Sequence, residues 1–130
     1  MIFLDTNYFL RFLLKDNQSQ YLIVKRLFIR ASHGKVKLFT SLVVFFEICW
    51  VLRSYYGKRK GNLCLMLEKL LKMNFINFPE RYLLEKSLNL FEKENLSFED
   101  CYNFILAKEK KVASFATFDK KLKAKFKALQ

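Results

Sequence analysis

Four acidic residues stand where chemistry could use them. Asp5 closes the apolar run Ile2-Phe3-Leu4 and opens Asp5-Thr6-Asn7. Glu47 is the only charged residue between Leu42 and Leu52. Asp100 is the third residue after Ser97, and Asp119 follows Ala116-Thr117-Phe118. Carboxylates gathered at one point repel each other strongly. Oxygen-preferring divalent cations relieve that repulsion, and Mg²⁺ or Mn²⁺ suit sites built of carboxylate and water. Such ions activate water and stabilise the charge that develops when a phosphodiester is hydrolysed.

Each acid also has a plainer explanation. Asp5, Asp100 and Asp119 all fall near predicted helix starts, where a carboxylate accepts backbone N–H bonds and complements the helix dipole. Ser97 and Asp100 have the spacing of a capping box. Glu47 has no such role. Its neighbours one turn away, Val43, Val44 and Val51, are apolar, so the sequence places it as a buried carboxylate that must be metal-bound, protonated, or paired with an arginine such as Arg11 or Arg53.

Charge narrows the partner. Lys and Arg number 24 against 12 Asp and Glu, a net charge of +12, which favours a polyanion and nucleic acid first. Arg11, Arg53, the run Lys58-Arg59-Lys60 and the tail from Lys120 to Lys127 are the candidate phosphate-binding cations. Three widely spaced cysteines and a single histidine argue against a zinc site of Cys/His type and against a histidine-based nucleophile. Cys49, Cys64 and Cys101 read as buried free thiols of a reducing compartment. Asp5 and Arg11 interrupt the only apolar N-terminal run, so no secretory signal is expected, and no stretch is long enough to span a bilayer. A cytoplasmic protein with no membrane partner is expected.

The elements that would position these acids alternate in type. Residues 1–130 have the length of a single domain, and 52% hydrophobic residues supply a core. The run ending at Leu4 reads as a strand. Helices follow over 8–14 and 18–31, the second ended by His33-Gly34. A strand over 36–40 leads to Ser41, which caps an apolar helix over 42–55. Asn62 caps a helix over 63–73. A strand over 75–78 stops at Pro79. Helices over 80–94 and 98–110 lead to a last strand over 112–118 and a short basic helix over 119–127. This alternation predicts an α/β fold with a mostly parallel sheet. The helices over 63–73 and 82–91 are apolar enough to leave a face for a partner.

The ordered set resembles the PIN-domain nucleases, and in particular the toxin ribonucleases of VapBC toxin–antitoxin pairs. The matching pieces are Phe3-Leu4-Asp5-Thr6-Asn7, Glu47 in an apolar helix, Phe98-Glu99-Asp100 opening a helix, and Ala116-Thr117-Phe118-Asp119. The resemblance implies a three-layer α/β/α domain with a central sheet of four to five strands. It implies that Asp5, Glu47, Asp100 and Asp119 hold Mg²⁺ or Mn²⁺ and drive hydrolysis of RNA. Thr6, Asn7 and Thr117 would then orient carboxylates and water, with Asn103, one turn after Asp100, as a further polar contact. A homodimer restrained by a small antitoxin protein is also implied. The chain departs from the pattern in having little sequence after Asp119 for a last strand, and no further acid in Lys108-Glu109-Lys110-Lys111 beyond Glu109 itself.

Three other functions share parts of this pattern. A non-catalytic RNA-binding domain would keep the basic surface but not need all four acids. A DNA-directed nuclease would share the metal chemistry. A phosphatase of the haloacid-dehalogenase type resembles Asp-x-Asp-x-Thr after its first strand, and here Asn7 stands in the second Asp position.

Overall fold

A computed structural model describes residues 1–130. The chain divides into two compact units, Met1–Arg81 and Tyr82–Gln130.

The first unit runs β1 (Ile2–Phe3), α1 (Thr6–Leu14), α2 (Gln18–Ser32), β2 (Leu38–Phe39), α3 (Leu42–Ser54), α4 (Lys60–Leu71) and β3 (Ile76–Asn77). The three strands form a parallel sheet in the order β1-β2-β3, with Ile2 opposite Leu38 and Leu38 opposite Ile76. Each crossover carries two helices, as parallel neighbours require. Local chemistry sets the helix starts. Asp5, Asn17 and Ser41 each accept a backbone N–H from the first turn of the following helix. α4 differs from expectation: it begins at Lys60, two residues before Asn62, with Arg59 at the cap position and no side-chain cap bond.

The core of this unit is aromatic. Phe9 and Phe45 are both fully buried and meet Phe78 just after β3, at ring separations of 5.7 and 5.9 Å. Phe28 of α2 approaches Phe9 at 6.4 Å. Leu63, Cys64, Leu67, Leu70 and Leu71 of α4 are buried, so its apolar excess is core packing, and Leu65 alone among its leucines is exposed. Arg81 closes the unit. It donates to the carbonyls of Leu71, Met73 and Ile76 and lies over the ring of Phe78.

The second unit is helical: α5 (Arg81–Lys93, its first residue shared with the first unit), α6 (Phe98–Glu109) and α7 (Lys120–Ala128). Ser97 caps α6 by accepting from Asp100 N–H at 3.1 Å. The strand expected over 112–118 is not paired with any other, and the sheet has three strands where four to five were expected. Of the hydrophobic residues in this stretch only Phe115 is packed. Phe115 packs with Phe104 of α6 and Phe126 of α7 at 5.0 and 4.8 Å, while Phe118 is fully exposed. No helix is long and apolar enough to cross a membrane.

Candidate active site

Asp5 owes its position to the end of β1. Leu4 is 1% exposed and its N–H donates to Phe39 C=O at 2.8 Å. The Leu4 carbonyl accepts from the hydroxyl of Thr40, itself buried, at 2.8 Å. Thr40 N–H donates to Asn77 C=O, so one threonine secures the ends of all three strands. The chain then turns into α1, and Asp5 Oδ1 accepts from Thr6 N–H at 2.8 Å. The carboxylate is exposed and its second oxygen takes no part in this cap.

Thr6 is 4% exposed, and its hydroxyl has no protein hydrogen-bond partner. An unsatisfied buried hydroxyl is costly and calls for a specific explanation. Asn7 is exposed and, with Tyr8, Arg11, Gln20, Ile23 and Val24, lines a cleft of about 430 Å³.

Glu47 corrects the sequence reading. It is exposed, not buried. α3 turns Val44, Phe45, Ile48, Cys49 and Leu52 inward and presents Val43, Glu47 and Trp50 to solvent. Those three positions follow helical spacing along one stripe. The helix is apolar on both faces, which is why its sequence made Glu47 look enclosed.

The expected cations of this unit differ among themselves. Arg11 is already engaged: Nη1 pairs with Asp16 at 2.9 Å and Nη2 donates to the Tyr56 hydroxyl at 3.0 Å. The hydrogen bond to Tyr56, with Asp16 beside it, raises the Arg11 pKa above its ordinary value. These contacts tie α1 to the chain after α3, and the same residue, expected from sequence to bind phosphate, lines the cleft beside Asn7. Arg53 is exposed in the last turn of α3. Lys58, Arg59 and Lys60 gather at the start of α4, whose first turn holds no acid. Cations at a helix N-terminus are opposed by the dipole, and an arriving anion would satisfy both.

The second unit holds the other two acids. Asp100 is half-buried in the first turn of α6, and Asn103 is exposed one turn later. Asp119 caps α7: Oδ1 accepts from Leu122 N–H at 3.0 Å, and its own N–H donates to Thr117 Oγ1 at 3.1 Å. The Phe104–Phe115–Phe126 cluster anchors the loop that delivers it. Lys120 is exposed at the start of α7, whereas Lys125 is paired with Glu94 at 2.7 Å.

Each unit thus supplies two carboxylates, and neither gathers three or more His, Cys, Asp or Glu side chains within reach of one metal ion. The donor chemistry nonetheless fits Mg²⁺ or Mn²⁺. The acids are hard oxygen ligands, the cysteines are buried away in the core, and the orphaned Thr6 hydroxyl beside Asp5 fits a group reserved for a bound water.

Thr40 and Tyr56 were not singled out from sequence. A threonine ending a strand segment and a tyrosine ending an apolar helix are both common, and only the tertiary pairing gives them their roles. Comparison with curated proteins and with solved structures returns no match. The PIN domain family, whose members are generally metal-dependent nucleases, does match: its model covers residues 2–127 and all four acids, and the chain belongs to that family.

Proposed function

We propose that this PIN domain is a metal-dependent endoribonuclease of the VapC-like toxin type, using Mg²⁺ or Mn²⁺ held by Asp5, Glu47, Asp100 and Asp119. The family match over residues 2–127, the stretch in which the four acids lie, supports the metal-dependent nuclease part of this reading. Resemblance to the toxin ribonucleases supports RNA as substrate, a cytoplasmic setting, a homodimer and a small antitoxin as restraining partner. Three buried free thiols agree with a reducing compartment.

When bound, the metal would lower the pKa of a water and stabilise charge developing on phosphorus. The protein's own groups do the positioning. Asp5 and Asp119 each have one oxygen tied to the first turn of their own helix, which restricts the carboxylate before substrate arrives. Thr117 holds the Asp119 backbone, and Thr6 offers its spare hydroxyl to a water. Asn7 and Asn103 are exposed amides available to carboxylate or substrate. Arg53, Lys58, Arg59, Lys60 and Lys120 draw the polyanion by counterion release.

The test is cleavage of a mixed RNA pool and a mixed single-stranded DNA pool, with Mg²⁺, with Mn²⁺ and with chelator, by the protein and its Asp5→Asn variant. Metal-dependent cutting of RNA that the variant lacks supports the reading. Preference for DNA moves it to a DNA-directed nuclease. Binding without cutting under either metal removes the enzyme assignment.

A further inference from the structure

We infer that Trp50, beside Glu47, is the residue on which an unpaired base of the bound strand stacks; this rests on the nuclease reading above. Trp50 is the only tryptophan of the chain, and it is 62% exposed. A ring of that size forfeits much burial free energy by standing in solvent. The exposure does not come from a loose helix. Phe45, Ile48 and Leu52 on the other face of α3 are completely buried. The helix is firmly seated and presents its largest side chain outward, one turn from Glu47.

The same association recurs at two other acids. Tyr8 is 39% exposed three positions after Asp5, and Phe118 is fully exposed immediately before Asp119. Tyr55 and Tyr82 are exposed as well, away from the four acids, so Trp50 is set apart by its place on the Glu47 stripe and not by exposure alone.

Base and phosphate together match this surface. A base offers a π face to an aromatic ring whatever its identity, and stacking of this kind serves single strands in a sequence-tolerant way. The phosphates on either side find Arg53, one turn beyond Trp50, and Lys58, Arg59 and Lys60 past the end of α3. A duplex keeps its bases stacked on each other and offers none to a ring. A protein partner on the same stripe is disfavoured, because it would bury Glu47 between Val43 and Trp50 in an apolar interface. A stacked base covers Trp50 and leaves Glu47 open to solvent or cation.

Because Trp50 is the sole tryptophan, its emission reports this contact alone. The experiment titrates the uncut complex, formed by the Asp5→Asn chain, with single-stranded oligoadenylate and with an RNA duplex of equal length. The expected result is quenching by the single strand and far weaker quenching by the duplex. Trp50→Ala should lose roughly tenfold or more in single-strand affinity, followed by fluorescence anisotropy of labelled RNA, and Trp50→Tyr should keep most of it. Single-strand binding with unchanged emission, equal affinity in Trp50→Ala, or equal quenching by the duplex would each overturn the inference. A change of Trp50 emission with protein concentration alone, and none with RNA, would assign the stripe to a protein interface instead. These readouts need no cleavage, so their failure leaves the nuclease test standing, and failure of that test leaves the stacking result readable.

Discussion

The guanidinium of Arg11 donates from Nη2 to the phenolic oxygen of Tyr56 across 3.0 Å, joining residues 45 positions apart. With Asp16 on Nη1, the arginine is held at both ends of its fork. A cation held in this way braces α1 against the chain that leaves α3. Tyr56→Phe should therefore cost about 1 kcal/mol in urea unfolding, since one partly buried charge-assisted hydrogen bond is lost. Arg11→Lys should cost at least as much, because an ammonium cannot reproduce the planar fork. RNA affinity, measured at fixed salt, should change little in Tyr56→Phe. A large loss of affinity there would return Arg11 to the substrate-binding surface.

Asp5→Asn and Asp119→Asn separate chemistry from capping. Asn caps helices about as well as Asp, so unfolding free energies should move by no more than about 0.5 kcal/mol. Cleavage should be lost in both. Alanine at either position removes the cap as well, at about 1 kcal/mol, and blurs the two effects. Mg²⁺ should raise the melting temperature of the parent protein in a saturable way that chelator reverses, and should do so less in either variant. Equal metal stabilisation in all three would take Asp5 and Asp119 out of the metal site.

Glu47→Gln tests a side chain that lies in solvent. A surface substitution away from any partner moves stability by no more than about 0.5 kcal/mol, and that is the expectation for Glu47→Gln in thermal unfolding. Loss of cleavage with stability intact would mark Glu47 as functional. A gain of 1 kcal/mol or more, of the order expected when a buried charge is relieved, would contradict its exposed setting.

Arg81→Met should be the most damaging of these changes. It strips the Leu71 carbonyl at the end of α4, and the Ile76 carbonyl, of a side-chain donor, while the Met73 carbonyl keeps the N–H of Ile76. A loss of roughly 2–4 kcal/mol is expected by chemical denaturation, since orphaned buried acceptors cost about 1–3 kcal/mol each and partial access of water offsets some of it. Retention of full stability would mean that the carbonyls find other donors.

The features that were readable from sequence are local ones. Asp5, Ser41 and Ser97 announce helix starts because capping involves residues only a few positions apart, and each caps as expected. Glu47 was misplaced because α3 is apolar on its exposed face as well as its buried one. Val43 and Val44 are identical to a reader of sequence, yet one is 73% and the other 6% exposed. The stretch 112–118 looks like a strand by residue type, but strand preference is largely a fit to neighbours, and Phe115 finds its neighbours in Phe104 and Phe126. Arg81 and Tyr56 act on partners that no spacing rule connects to them.

The small parallel sheet carries a consequence for how the molecule assembles. Ile2 lies opposite Leu38 and Leu38 opposite Ile76, so every rung joins residues well over thirty positions apart. Each strand is two residues long and offers few hydrogen bonds in return for closing so long a loop. Pairing of this kind comes late, after α1 has met α2 and α3 has met α4 through contacts near in sequence. Asp5, standing at the end of β1, therefore reaches its place only with the last long-range closures, and refolding protein should regain helix before it regains any activity that depends on that residue.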